Sequence, residues 1–253
     1  MNCRKILLIV LAAVSFTLAQ TNETLNIFTS LGFGFPTGGL TFSSHTFDNQ
    51  ILSEREDKYF NYGQGIKLDA GVQYFMMENV ALQAAFGYSG KIPGLETRNV
   101  RTLAGATVTD SSIEYKAQLF GIKALVVPRF EILELLNMYT GVGIGFFWNS
   151  LSYEAVYETV TVTGTDVDNR EGKIKSTPAL GLLGLIGIDI PLSDLTAVFG
   201  EVAFEQMSFT WKKRIEEKGY TAVYEKDATN LEAPPKVPGS NWQIRFGIRF
   251  IVL

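Results

Sequence analysis

The chain has one cysteine and one histidine in 253 residues, and no apolar run long enough to cross a membrane as a helix. Cys3 precedes the first apolar stretch, so it is not placed as the acylated cysteine of a lipoprotein, and beyond it there is no thiol for a disulfide, a nucleophile or a cysteine metal site. His45 lies in Phe42-Ser-Ser-His-Thr46 with no nucleophile, base and acid spaced around it, so no catalytic constellation is read and no catalytic residue is assigned. Asp166, Asp168 and Glu171 form an acidic stretch, but Asp-Val-Asp-Asn lacks the glycine and terminal glutamate of a calcium loop; no metal or cofactor is expected. The formal net charge is −4 and no basic patch suggests nucleic acid as a partner.

The first residues read as an export signal. Arg4 and Lys5 precede the apolar Ile6 to Phe16, and Thr17-Leu18-Ala19 has the small residues of a cleavage site. The expected division is therefore a signal peptide over 1–19 and a single domain over 20–253, with no Pro/Ser-rich linker or break in composition to divide the latter. The longest later apolar run, Ala179 to Ile190, is interrupted by glycine and Asp189. It is too short for a membrane helix and suits a tilted strand.

What the chain does have is alternation. In Asn241 to Leu253, Trp242, Ile244, Phe246, Ile248, Phe250 and Val252 form one file, while Gln243, Arg245, Gly247 and Arg249 form the other. Side chains on a strand point to opposite faces with period two, so this segment has one apolar face and one that carries two arginines. The pattern recurs over Leu25 to Phe35, Ile66 to Met76, Val80 to Ser89, Glu114 to Val126, Thr140 to Asn149, Leu180 to Ile190 and Val198 to Glu205. Short turns alternate with long connections, which run from Leu40 to Tyr62, Lys91 to Ser112, Ser152 to Ile174 and Thr210 to Gly239. This predicts an all-β, eight-stranded antiparallel up-and-down transmembrane β-barrel with short turns at one end and long loops at the other. A soluble barrel would have its apolar file inside. Small Gly, Ala and Ser on the polar file, the export signal and the alternating loop lengths favour lipid outside.

One strand breaks step. Tyr115, Ala117 and Leu119 share a face opposite Glu114, Lys116 and Gln118, yet beyond Gly121 the polar Lys123 has changed parity. Either a β-bulge near Phe120-Gly121 restores the pattern, or both faces turn apolar near the membrane edge.

The chain resembles the small outer-membrane β-barrels of Gram-negative bacteria, of the OmpX and OmpA-barrel kind, often labelled porin-like. The likeness rests on Ser30-Leu-Gly-Phe-Gly-Phe-Pro-Thr-Gly38, Gly71-Val-Gln-Tyr-Phe-Met-Met-Glu-Asn-Val-Ala-Leu82, Tyr139-Thr-Gly-Val-Gly-Ile-Gly145 and the last strand. Such barrels end in an aromatic residue of the apolar file, whereas Leu253 falls out of phase. The resemblance implies an outer-membrane location, lipid contact, insertion by the barrel-assembly machinery and a monomer.

The presumed interior file contains Lys67, Asp69, Lys123, Asp189, Glu201, Glu205, Arg245 and Arg249. Antiparallel partners keep a constant sum of residue numbers, so Glu201 with Arg249 and Glu205 with Arg245 share one register and are expected as cross-strand ion pairs. Removing one partner of such a pair strands a charge at a cost of roughly 3–5 kcal/mol. An eight-stranded interior is just wide enough to be filled by side chains, which fits a plug better than a pore, although glycines along Thr140 to Asn149 leave room for a narrow leak. Tyr88, Trp148 and Trp242 at the long-loop end, with Tyr74 and Phe250 at the other, are placed as interface girdles. The role expected is non-catalytic, in envelope structure or in surface interaction with a protein or small solute through the long loops. A narrow porin-like channel for small solutes and a lipid-modifying enzyme are the alternatives. Strand character in Thr161-Val-Thr-Gly-Thr165 suggests hairpins that extend the wall and offer edges to a partner.

Overall fold

A computed structural model describes residues 25–90, 94–104, 106–133, 136–216, 221–223 and 235–252. The expected export signal, its cleavage after Ala19, and Leu253 lie outside these residues. The strands are β1 (Leu25–Pro36), β2 (Leu40–Asp48), β3 (Ile51–Phe60), β4 (Gly65–Met77), β5 (Val80–Gly90), β6 (Leu95–Leu103), β7 (Ala106–Leu133), β8 (Leu136–Thr161), β9 (Gly164–Ser176), β10 (Ala179–Ser193), β11 (Thr196–Gln206), β12 (Ser208–Glu216), β13 (Thr221–Val223), β14 (Lys236–Pro238) and β15 (Asn241–Val252).

Eight of them close on themselves in the cyclic order β1-β4-β5-β7-β8-β10-β11-β15, every pair antiparallel. This is the expected up-and-down barrel. β15 closes it, with Trp242 opposite both Phe35 and Phe204. Its polar file is buried and its apolar file is not: Gln243 is 0% exposed and Arg245 5%, while Phe246 is 67% exposed. Leu182, Ile144, Leu31 and Ile122 are likewise exposed, so the barrel has a greasy exterior around a polar interior, the arrangement a bilayer demands. From Trp242 to Phe250 the strand rises about 27 Å, or about 21 Å along the membrane normal after a tilt near 40°, which matches an apolar band about 25 Å tall.

Where they are described, the long connections are sheet rather than loop, including the hairpin expected around Thr161 to Thr165, which joins β8 to β9. β7 has 28 residues and β8 26, each on the order of 90 Å long, so both rise far beyond the bilayer. Around their upper halves the wall continues as β3-β2-β6-β7-β8-β9-β12-β13. β2 and β6 pair in parallel, because each prolongs a strand that climbs from the membrane. The β2–β3 hairpin turns on Asn49 and Gln50, with φ of 46° and 68°, the two left-handed residues of a type I′ turn. At the other end β7 and β8 stay paired as far as Leu133 opposite Leu136, so both strands run on well past the expected ends at Val126 and Thr140.

There is no bulge at Phe120-Gly121. β7 keeps register with both neighbours there, and Ala117, Leu119, Lys123 and Leu125 all point inward. The parity change has another cause. Within the membrane the outside is lipid and the inside is ionic; above it the outside is water and the inside is an apolar core. One unbroken strand therefore exchanges its chemical faces at the bilayer edge. β8 does the same, with Phe146 and Trp148 outward below, then Ser152 and Glu154 outward and Leu151, Tyr153 and Ala155 buried above.

Candidate functional site

The interior of the barrel gathers the titratable residues. At mid-height Lys123 on β7 donates to Asp69 on β4 at 2.7 Å and lies 2.6 Å from Glu205 on β11. Lys67 reaches Glu205 at 3.5 Å, and Arg245 on β15 is paired with both Asp69 and Glu201. Three cations and three carboxylates, each under a tenth exposed, thus form one cluster. Nearer the short turns, Arg249 is paired with Asp189, which Arg129 also contacts at 2.8 Å. The Tyr139 hydroxyl donates to Glu201 at 3.0 Å, and the Arg249 guanidinium lies 5.1 Å from the ring centroids of Tyr139 and Phe199.

All eight expected interior charges line this space, but their pairing differs from the expected one. Glu201 stands opposite Arg245, not Arg249; Glu205 stands opposite Asn241, and Arg249 opposite Ala197. The register is displaced by four residues, and Glu205 and Arg249 find their partners across the lumen on β4, β7 and β10. Arg129 and Tyr139 were missed in the sequence. Arg129 follows Pro128 near a strand end where alternation is weak, and Tyr139 carries no charge to mark its file.

The room expected over the glycines of β8 is taken up by a side chain. The Phe147 ring fills the space over Gly121, Gly145 and Gly181: a methyl group added at Gly121 or at Gly145 would lie 2.5 Å from the ring. Two cavities beside Lys123 measure about 10 Å³ each, room for the centre of about one water.

Above the charges sits an aromatic core. Phe42 packs on Phe60 and Tyr115 with centroids 5.9 and 4.7 Å away, and Tyr62 packs edge-on against Phe60 and Phe209, both at 5.1 Å. The Trp211 indole donates to the Tyr62 hydroxyl at 3.0 Å, and burial pushes the Tyr62 phenol above its ordinary value. Arg214 donates to the Tyr153 hydroxyl at 2.8 Å, which in turn donates to Glu216 at 2.8 Å. Trp211 and Val237 are buried here, so the long connection from Thr210 to Gly239 contributes to the core near both its ends.

The girdle residues lie on the outward file. Trp148 stacks on Phe120 with centroids 6.0 Å apart, Tyr88 lies 5.4 Å from Phe120, and Trp242 lies 4.8 Å from Phe204. Tyr74 and Phe250 occupy the opposite rim, on β4 and β15. His45 is on β2, where its Nδ1 lies 3.2 Å from the Asn99 amide oxygen and its ring stacks on Phe47. Asp168 is bound to Arg170 at 2.8 Å, and no cluster of three or more metal-ligating side chains occurs among the described residues.

No protein-family model matches the sequence, and no curated protein matches it. Solved structures do match. A major outer membrane protein from Thermus thermophilus aligns over 92% of this chain and 100% of its own at 13% identity, with a TM-score of 0.53. The outer membrane protein OprG from Pseudomonas aeruginosa aligns over 91% and 96% at 8% identity and a TM-score of 0.47, and Neisserial surface protein A over 91% and 97% at 7% and 0.43. At these identities the likeness is one of fold.

Proposed function

We propose that this protein, a small β-barrel of the outer membrane, is a closed and non-catalytic platform that presents its tall extracellular sheet to the cell's surroundings. The filled interior is what supports this reading: a neutral six-charge cluster at mid-height, the Phe147 ring beside it, and an aromatic core above. An ion that entered would have to displace both layers. The wall above the membrane supplies the interaction surface, since among the described residues the outer side of β3 is a sheet edge with no strand beside it, one that can accept a strand from a partner protein. The lipid around it, the assembly machinery that inserts it and a surface protein or small solute at the wall are the partners of this reading, and the barrel acts as a monomer.

A second reading draws on one observation. Asn26, Ser30, Gln73 and Gln243, on the adjoining strands β1, β4 and β15, carry buried polar atoms without a protein partner. Such a file suits ordered water and, with it, a narrow path. Single-channel recording of the purified full chain in a planar bilayer separates the two. The platform reading expects a silent membrane; reproducible conductance steps above the lipid baseline overturn it in favour of the path.

A further inference from the structure

Just above the girdle, one sector of the outer wall carries cations that no carboxylate among the described residues neutralises. Most other exposed bases of the wall are paired: Arg55 with Asp57, Lys58 with Glu56, Arg98 with Asp110, Lys116 with Glu154 and Glu114, Arg170 with Asp168. Lys173 and Lys175 on β9, Lys212 and Lys213 on β12 and Lys236 on β14 make no ion pair among the described residues. Yet they sit side by side: β12 pairs with β9 on one edge and β14 on the other, Lys213 stands opposite Lys175, and Lys236 opposite Thr210. Like charges directly opposite each other on a sheet destabilise it unless a counter-charge lies between them. In an acidic chain, that arrangement calls for an anion.

Height above the membrane says where the anion comes from. Ile174 is level with Leu151, three residues above the girdle residue Trp148, so Lys175 lies about 7 Å above that ring along the strand. The headgroup layer is roughly 5–8 Å deep on each side of the hydrocarbon. Lys175 and Lys213 therefore stand in that layer, and Lys173, one outward residue higher, reaches down to it on its flexible stem. Lys212, at the register shift of β12, is exposed. Among the described residues, the outward carboxylates of this sector, Glu171 and Glu154, are higher on the wall; Glu154 is already taken by Lys116 at 2.7 Å, and the buried Glu216 by Arg214.

We propose that this lysine patch binds the phosphate-bearing headgroup of an anionic lipid in the outer leaflet. Charge complementarity and continuity with the lipid-facing band identify the occupant, and the inference holds whether or not the lumen conducts. The site fixes the barrel's height in the leaflet and gathers anionic lipid on one side of it.

The test uses the full chain refolded in phosphatidylcholine vesicles with and without phosphatidic acid, native mass spectrometry reading which lipid each barrel retains. A lysine beside an anionic surface contributes about fivefold in affinity, so two in the headgroup layer give phosphatidic acid a preference of more than about tenfold. Replacing all five lysines with glutamine abolishes the preference, and a Lys58→Gln, Lys116→Gln control retains it. Folding is checked by the mobility of unheated samples on gels, and the milder K175Q/K213Q pair is read in the same way. Wild-type barrels that show no preference, or a folded lysine variant that keeps it, overturn the proposal.

Discussion

Asp69→Asn is the sharpest probe of the interior, because it removes one charge and no volume. Asp69 holds Lys123 at 2.7 Å and is paired with Arg245, while each of those cations also touches a second acid, Glu205 or Glu201. The substitution leaves three cations against two carboxylates in a space less than a tenth exposed. An uncompensated buried charge costs about 3–5 kcal/mol, and because Glu201 and Glu205 stay in place the lower end, about 3 kcal/mol, is expected. Adding Lys123→Met restores two against two, so the double variant should recover about 2 kcal/mol of what the two single losses would sum to. Urea unfolding in lipid vesicles reads this out through Trp148, Trp242 and Trp211, the first two in the girdle and the third in the aromatic core. A loss below about 1 kcal/mol for Asp69→Asn, or strict additivity of the two substitutions, would mean that water solvates these charges. The filled-interior reading would then fail.

Gly145→Ala should cost about 1–3 kcal/mol, since the added methyl falls 2.5 Å from the Phe147 ring, and Phe147→Leu should relieve part of that cost in the same urea assay; an unrelieved loss would show that the ring is not what the glycine accommodates. The hydrogen bond from Arg98 holds the Asp110 carboxyl below its usual value of 3.8, so its contribution is present above that value and fades as the pH falls through the depressed one. Amide exchange in β6 should therefore be slower in the wild type than in Asp110→Asn near neutrality, with the difference beginning to shrink below about pH 4 and gone only once the pH is below the depressed value; a difference that does not shrink in acid refutes the assignment.

The membrane strands were legible because lipid imposes one rule on all of them, apolar outward. The upper wall was not, because that rule reverses within a single strand. Tyr115, Ala117 and Leu119 read as a lipid-facing file that slips at Gly121; in the folded chain they are the inward file throughout, and the solvent changes rather than the register. Period two reports which residues share a face, and only the surroundings say which face is which. Hence, apart from the hairpin around Thr161 to Thr165, the stretches between membrane strands, polar on one side and aromatic on the other, passed for loops, and the core formed by Phe42, Tyr62, Phe209 and Trp211 went unseen.

The pairing of the interior charges failed for a related reason. Glu201 and Glu205 share the spacing of Arg245 and Arg249, so a slip of four residues keeps every side chain on its own face and exchanges two cross-strand pairs for one, Glu201 with Arg245, while Glu205 and Arg249 pair across the lumen. Charge alone is nearly indifferent between the two registers. The girdle is not. In the expected register Trp242 would stand opposite Ser208, above the lipid; in the observed one it meets Phe204 with centroids 4.8 Å apart and Phe35 on the far side, at the interface where an amphipathic ring is stable. Arginine can yield to tryptophan here because a lumen eight strands around is narrow enough for its long side chain to find an acid on another strand: Arg245 also finds Asp69, and Arg249 finds Asp189. The rigid aromatic anchor sets the register, and the long cations adapt to it.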